Sequence, residues 1–110
     1  MMLIGVTSQN FKTITKHAAK TRRFIIYSVD ANEQIEETKR LDLPIEESLK
    51  EYDRKAIHPI YAVDVLLTGS CGDKFKKRLK RFDVDVVETD EADPLHAIKA
   101  YRADMASQTH

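Results

Sequence analysis

The chain has 110 residues, room for one domain with a single ordinary core. Hydrophobic residues make up 42% and charged residues 33%, a balance that excludes a disordered chain and suits a globular one. Lys plus Arg and Asp plus Glu both number 18, so zero net charge gives no global attraction to nucleic acid or to an anionic membrane.

Met1 to Val6 is apolar but lacks a basic flank and is too short for a secretory signal. No apolar run approaches the about 20 residues needed to span a bilayer. Cys71 is the single cysteine and cannot form an internal disulfide, so a reducing, cytoplasmic setting is expected.

In chain order, Met2 to Thr7 (MLIGVT) reads as a central strand. Ser8 to Arg22 reads as a long polar loop anchored by Phe11 and Ile14. Arg23 to Val29 is a second strand, rich in β-branched and aromatic residues and buried on both faces. Asp30 to Glu33 supplies turn chemistry. Gln34 to Leu43 returns as a third strand, whose charges at Glu36, Glu37, Lys39 and Arg40 suit an exposed edge.

Pro44 opens a predicted helix with Ile45, Leu49, Tyr52 and Ala56 on one face, ended by His58-Pro59. Val63 to Thr68 is a fourth strand, and Gly69 to Gly72 turns the chain. Asp73 to Phe82 is a basic helix with Phe75, Leu79 and Phe82 inward. Asp83 to Thr89 is a fifth strand. Asp93-Pro94 starts a last helix with Leu95, Ile98 and Tyr101 buried. The expected domain covers residues 1–102, with a loosely held tail from 103 to 110. The order β-β-β-α-β-α-β-α predicts an α/β domain with one mixed five-stranded sheet. Strands joined by turns run antiparallel, and strands joined by helices run parallel.

Ligands bind beyond the carboxyl ends of parallel strands. That edge would gather Thr7 to Asn10, Ser8 among them, with Gly69 to Gly72 and Thr89 to Asp93. The loop carrying His17 leaves the first strand there, so His17 and Cys71 are expected as neighbours. His17 reads either as an exposed loop histidine or as a metal ligand. Cys71 reads either as a small buried residue of a tight turn or as a soft ligand. In the second case, the helix start beside it lowers the thiol pKa. His58 is expected to cap the preceding helix, His96 to be solvated, and His110 to sit in the tail. Lys74, Lys76, Lys77, Arg78, Lys80 and Arg81 read as a solvated face. Joined by Lys20, Arg22 and Arg23, they read as a patch for an anionic ligand.

Three stretches carry a resemblance. His17, Lys20, Phe24, Ile26, Tyr27, Val29 and Asp30 fit the pattern HFGRAxxFxIYxVD. Val63-Asp64-Val65 through Gly69, with Gly72, fits VDVVIxGxxG. Val84 to Val87, followed by acidic residues and the helix from Pro94 to Tyr101, fits a closing strand and helix. In this order they resemble the dinitrogenase iron–molybdenum cofactor biosynthesis family, across nearly the whole chain. Ala18-Ala19 stands where the family has Phe-Gly.

The resemblance implies a ribonuclease-H-like fold. It also implies a non-enzymatic role in nitrogen fixation, carrying an iron–sulfur or iron–molybdenum cluster as cargo. His17 and Cys71 are the expected metal ligands, with Ser8, Lys20, Arg22, Gly69, Ser70 and Gly72 around the cluster. The expected partners are the cluster and cofactor-assembly proteins, with no membrane and with nucleic acid disfavoured, for a monomer or homodimer. The alternative is a cofactor-free module that binds protein or nucleic acid through the basic helix 73–82. A metal-dependent hydrolase is disfavoured, because the first strand has no carboxylate and Asp64 is at the wrong end of its strand.

Overall fold

Met2–Thr7 forms strand β1 and Arg23–Val29 forms β2, with the boundaries the sequence predicts. Ile35–Asp42 forms β3, Val65–Thr68 β4 and Asp85–Glu88 β5, each trimmed at its ends relative to expectation. In the computed structural model, which describes residues 1–44 and 58–108, these strands make one sheet ordered β3-β2-β1-β4-β5. β1 pairs antiparallel with β2, and β2 with β3. β1 pairs parallel with β4, and β4 with β5. The mixed five-stranded sheet is therefore as expected, with β1 at its centre.

The third strand is an edge, and residues 36–40 are all exposed, so its charges face water. A bulge opposite Ile26 and Tyr27 shifts the register there, and Thr38 Oγ1 donates to the Ile26 carbonyl across it at 3.1 Å. The predicted helical residues 45–57 lie outside the described residues.

Both faces of β2 are buried. Phe24 and Ile26 join Leu66, Phe75, Leu79 and Val84 on one side. Ile25, Tyr27 and Val29 join Ile4, Val6, Val65, Leu67 and Ile98 on the other. Helix α1 (Asp73–Lys80) covers the first side with Phe75 and Leu79. Phe82, just beyond its end, stacks on Tyr61 with ring centroids 4.0 Å apart.

Helix α2 (Pro94–Gln108) covers the second side. Asp93 starts it as expected: Oδ1 accepts the Leu95 N–H at 3.1 Å, and the Asp93 carbonyl accepts the Ala97 N–H. The buried stripe differs from expectation, since Leu95 is 43% exposed. Pro94, Ala97 and Ile98 are buried and Tyr101 half-buried, an i, i+3, i+4, i+7 face that leaves Leu95 about 100° away. The helix also runs on through residues 103–108, assigned above to a loose tail; Ala103, Met105 and Ala106 are good helix formers. No helix among the described residues is long and apolar enough to cross a membrane.

His58 is wholly buried and serves the element that follows it, while the predicted helix before it lies outside the described residues. Pro59 opens a 3₁₀ turn, Pro59–Ala62, and the His58 side chain accepts the Ile60 N–H on Nδ1 at 3.0 Å. Its ring lies edge-on to Phe24, with centroids 6.1 Å apart.

The phase of α2 is directly testable. Ile98→Ala, at a wholly buried site, is expected to cost about 2–5 kcal/mol in urea unfolding. Leu95→Ala should stay within about 0.5 kcal/mol of the parent.

Candidate functional site

Because β1 and β4 are parallel, their carboxyl ends reach one edge side by side. Thr7 and Thr68 end the two strands, both wholly buried, with hydroxyl oxygens 2.9 Å apart. The Thr15 carbonyl accepts the Thr7 hydroxyl at 2.7 Å and the Gly69 N–H at 3.0 Å. The loop after β1 thus folds back over the strand ends. Phe11 and Ile14 anchor it against the α2 side of the core, as the sequence suggested. A Cβ on Gly69 would lie 3.2 Å from the Thr15 carbonyl oxygen and 2.9 Å from Lys16 Cγ, so glycine permits this close approach.

The same loop delivers His17. Its backbone is left-handed, φ 60° and ψ 61°, a conformation that strains a residue with a Cβ. Three hydrogen bonds hold it. The His17 N–H donates to Ser70 Oγ at 2.9 Å, and the Ala18 N–H donates to the Ser70 carbonyl at 3.1 Å. The Lys20 N–H donates back to the His17 carbonyl at 3.0 Å, closing the 3₁₀ turn Ala18–Lys20. Ala18, standing where the family pattern has Phe, is wholly buried and pins that turn to the core. The imidazole of His17 is left exposed.

His17, Ala18, Lys20, Ser70, Cys71 and Gly72 line one open depression of about 350 Å³. Five of the eight candidate residues therefore converge, and Gly69 lies beneath the loop they share. Ser8 and Arg22 do not line it. Ser8 is wholly buried and its hydroxyl donates to the Thr13 carbonyl at 2.7 Å, closing the start of the loop. Arg22 Nη1 donates to Asp42 at 3.0 Å and to the Leu43 carbonyl at 3.1 Å, tying the loop end to β3. His96 is exposed and 3.7 Å from Asp93.

Cys71 is half-buried and precedes Gly72, the N-cap of α1. The expected lowering of its pKa is not what the surroundings produce. Burial pushes the thiol up, and the nearby Glu88 carboxylate pushes it further, overcoming the opposing charge of Lys76. Glu88 was not anticipated from the sequence. It accepts the Cys71 thiol hydrogen and pairs with Lys76 Nζ at 3.0 Å. The signal was the parallel register, which sets Glu88 opposite Thr68, beside the turn that follows it.

Among the described residues, no group of three or more His, Cys, Asp or Glu side chains could hold a metal ion. Asp64 is committed elsewhere: its Oδ2 accepts the Leu3 N–H at 2.8 Å at the opposite end of the sheet. The basic helix is also partly neutralised. Lys76 pairs with Glu88 and Lys80 with Asp85 at 2.7 Å, while Arg78 Nε donates to the Tyr61 hydroxyl. Among its six cations, Lys74, Lys77 and Arg81 form no ion pair with a described residue.

Two outcomes are expected. Glu88→Gln removes a charge that opposes the thiolate, so the midpoint of the pH–rate profile for Cys71 alkylation should move to lower pH; an unchanged midpoint would rule out this role for Glu88. Ser70→Ala removes the acceptor of the His17 N–H and should speed hydrogen exchange at that amide, with a stability loss of about 1 kcal/mol.

Comparisons with known proteins agree on the architecture. The crystal structure of PH0822 superposes with a TM-score of 0.71 at 14% identity, covering 94% of this chain and 92% of that one. The NMR structure of TM1290, a candidate NifB protein from Thermotoga in the DUF35 family, gives 0.61 at 18% identity, covering 94% and 89%. The apo form of the orange protein from Desulfovibrio gigas gives 0.60 at 18% identity, with the same coverage. No curated protein matches the sequence. The family model described as dinitrogenase iron-molybdenum cofactor matches residues 1–104. With that match spanning nearly the whole sequence, the chain belongs to the dinitrogenase iron–molybdenum cofactor family, which is linked to the biosynthesis of that cofactor.

Proposed function

We propose that this protein is a non-enzymatic carrier that docks an iron–molybdenum cofactor or an iron–sulfur cluster, as cargo, over the depression at His17. The observation that carries the reading is the convergence of His17, Lys20, Ser70, Cys71 and Gly72 on one open concavity in a chain of this family. The concavity is open enough to receive and release a bulky cargo. A cluster brings its own bridging sulfides, so one or two protein ligands suffice to tether it, and a three-ligand cage is unnecessary.

Each residue then has a distinct part. His17 offers an exposed imidazole on a braced backbone and is the first ligand. Cys71 is held as a thiol near neutral pH by burial and by Glu88, so it ligates only when the metal displaces its proton. Lys20 supplies positive charge for an anionic cluster or for the organic acid of the iron–molybdenum cofactor. A free thiol at the site suits a reducing compartment, and the cytoplasm is the location we assign. Cofactor-assembly proteins are the natural donors and acceptors of such cargo. The alternative module built on the basic helix is weakened by the pairing of Lys76 and Lys80 with β5 carboxylates.

Anaerobic titration of the pure apo-protein with isolated iron–molybdenum cofactor, and separately with simpler iron–sulfur clusters, tests this by absorbance and gel filtration. Stoichiometric binding is expected for the parent, weakened more than about tenfold in His17→Ala. Equal binding by both proteins would remove His17 as a ligand, and no binding of any cluster would sink the carrier reading.

A further inference from the structure

Ser70 lines the His17 depression, but its hydroxyl is turned to the loop. This one residue receives two consecutive N–H groups. The His17 N–H donates to Ser70 Oγ at 2.9 Å, and the Ala18 N–H donates to the Ser70 carbonyl at 3.1 Å. These N–H groups belong to the two peptide planes that flank the His17 Cα. A peptide plane is rigid, so holding both planes sets the φ and ψ of His17. It also sets the direction in which the Cα–Cβ bond launches the imidazole.

The conformation held in this way is one that His17 does not favour by itself. At φ 60° and ψ 61° it is left-handed, where the Cβ crowds the backbone. The cost of that conformation and the gain from one hydrogen bond are of the same order. The second plane has further holds. The His17 carbonyl accepts the Lys20 N–H at 3.0 Å and the Thr21 hydroxyl at 3.2 Å. The N–H of the first plane has, among the described residues, only the Ser70 hydroxyl as acceptor. Removing that hydroxyl therefore frees the φ of His17 and leaves the turn Ala18–Lys20 closed.

Ser70 is itself anchored on the sheet. It stands two residues beyond Thr68, the last residue of β4, and the Gly69 N–H between them donates to the Thr15 carbonyl at 3.0 Å. Cys71 follows directly, so the residue that clasps the His17 backbone also leads into the turn that bears the thiol.

We infer that Ser70 is a positioning residue, which aims the imidazole of His17 over the depression by clasping the backbone on both sides of it. It makes no contact with the cargo. Its effect on cargo binding rests on the carrier reading, since a loosely held ligand must be ordered at the moment of binding. Its effect on His17 in the free protein does not.

Two measurements on the full chain test this. In the apo-protein, backbone scalar couplings read the φ of His17. They should report a left-handed residue in the parent and in Ser70→Thr, which keeps the hydroxyl, and an averaged φ in Ser70→Ala. Anaerobic titration with isolated iron–molybdenum cofactor reads the consequence. Ser70→Ala should weaken binding roughly fivefold. In a His17→Ala background it should weaken binding no further, because a residue that acts only through His17 then has nothing to position. A left-handed His17 in Ser70→Ala overturns the inference. So does a loss that persists in full without His17, which would mean that Ser70 touches the cargo itself. A parent that binds no cluster removes the carrier reading, and the couplings alone then decide whether Ser70 sets His17.

Discussion

Two buried hydroxyls at the carboxyl ends of adjacent parallel strands hold the rest of the site in place. Thr7 and Thr68 are both wholly buried, and each must find a partner because an unpaired buried hydroxyl is costly. They find one another, and the Thr15 carbonyl completes the set. That bond pattern requires the loop after β1 to double back across the sheet edge. Once it does, Gly69 must be small and Ser70 comes within reach of the His17 backbone. The exposed imidazole is thus the far end of a chain of obligations that starts with polar groups inside the sheet.

The depression brings together an imidazole and a thiol in different surroundings. The imidazole of His17 sits at the surface on a strained but well-braced backbone. The thiol of Cys71 sits lower, and its surroundings favour the protonated form. A helix N-terminus alone would favour the thiolate, but a carboxylate in direct contact and partial burial outweigh it here. Glu88 in turn is oriented by Lys76, so the basic helix acts on the site through an ion pair.

This gives the cations of α1 a structural meaning. Lys76 and Lys80 reach across to β5 and neutralise Glu88 and Asp85, carboxylates that stand on the same short strand. A cluster of basic residues in the sequence is therefore met by an acidic strand in space, and the net positive field of the helix is reduced. Exposed pairs of this kind contribute little stability each. Their larger effect is on which charges remain available at the surface.

Strand directions, the central place of β1, the charged β3 edge and the capped start of α2 were all legible in the sequence, because they follow from local periodicity, connection type and turn chemistry. So was the meeting of His17 with Ser70, Cys71 and Gly72, since parallel strands bring their ends to one edge. Other features needed the fold. Ser8 and Arg22 carry suitable groups, but those groups are consumed in closing the loop and tying it to β3. Leu95 belongs to an apolar pattern that only the docking of α2 could phase. Glu88, and with it the protonation state of Cys71, depended on cross-strand register, which sets neighbours twenty residues apart in the chain. Local pattern in the sequence set the five strands, the two described helices and the edge at which they would present a ligand. The tertiary structure decided which side chains remained free there, because hydrogen bonds and charges are allotted only once distant segments are packed together.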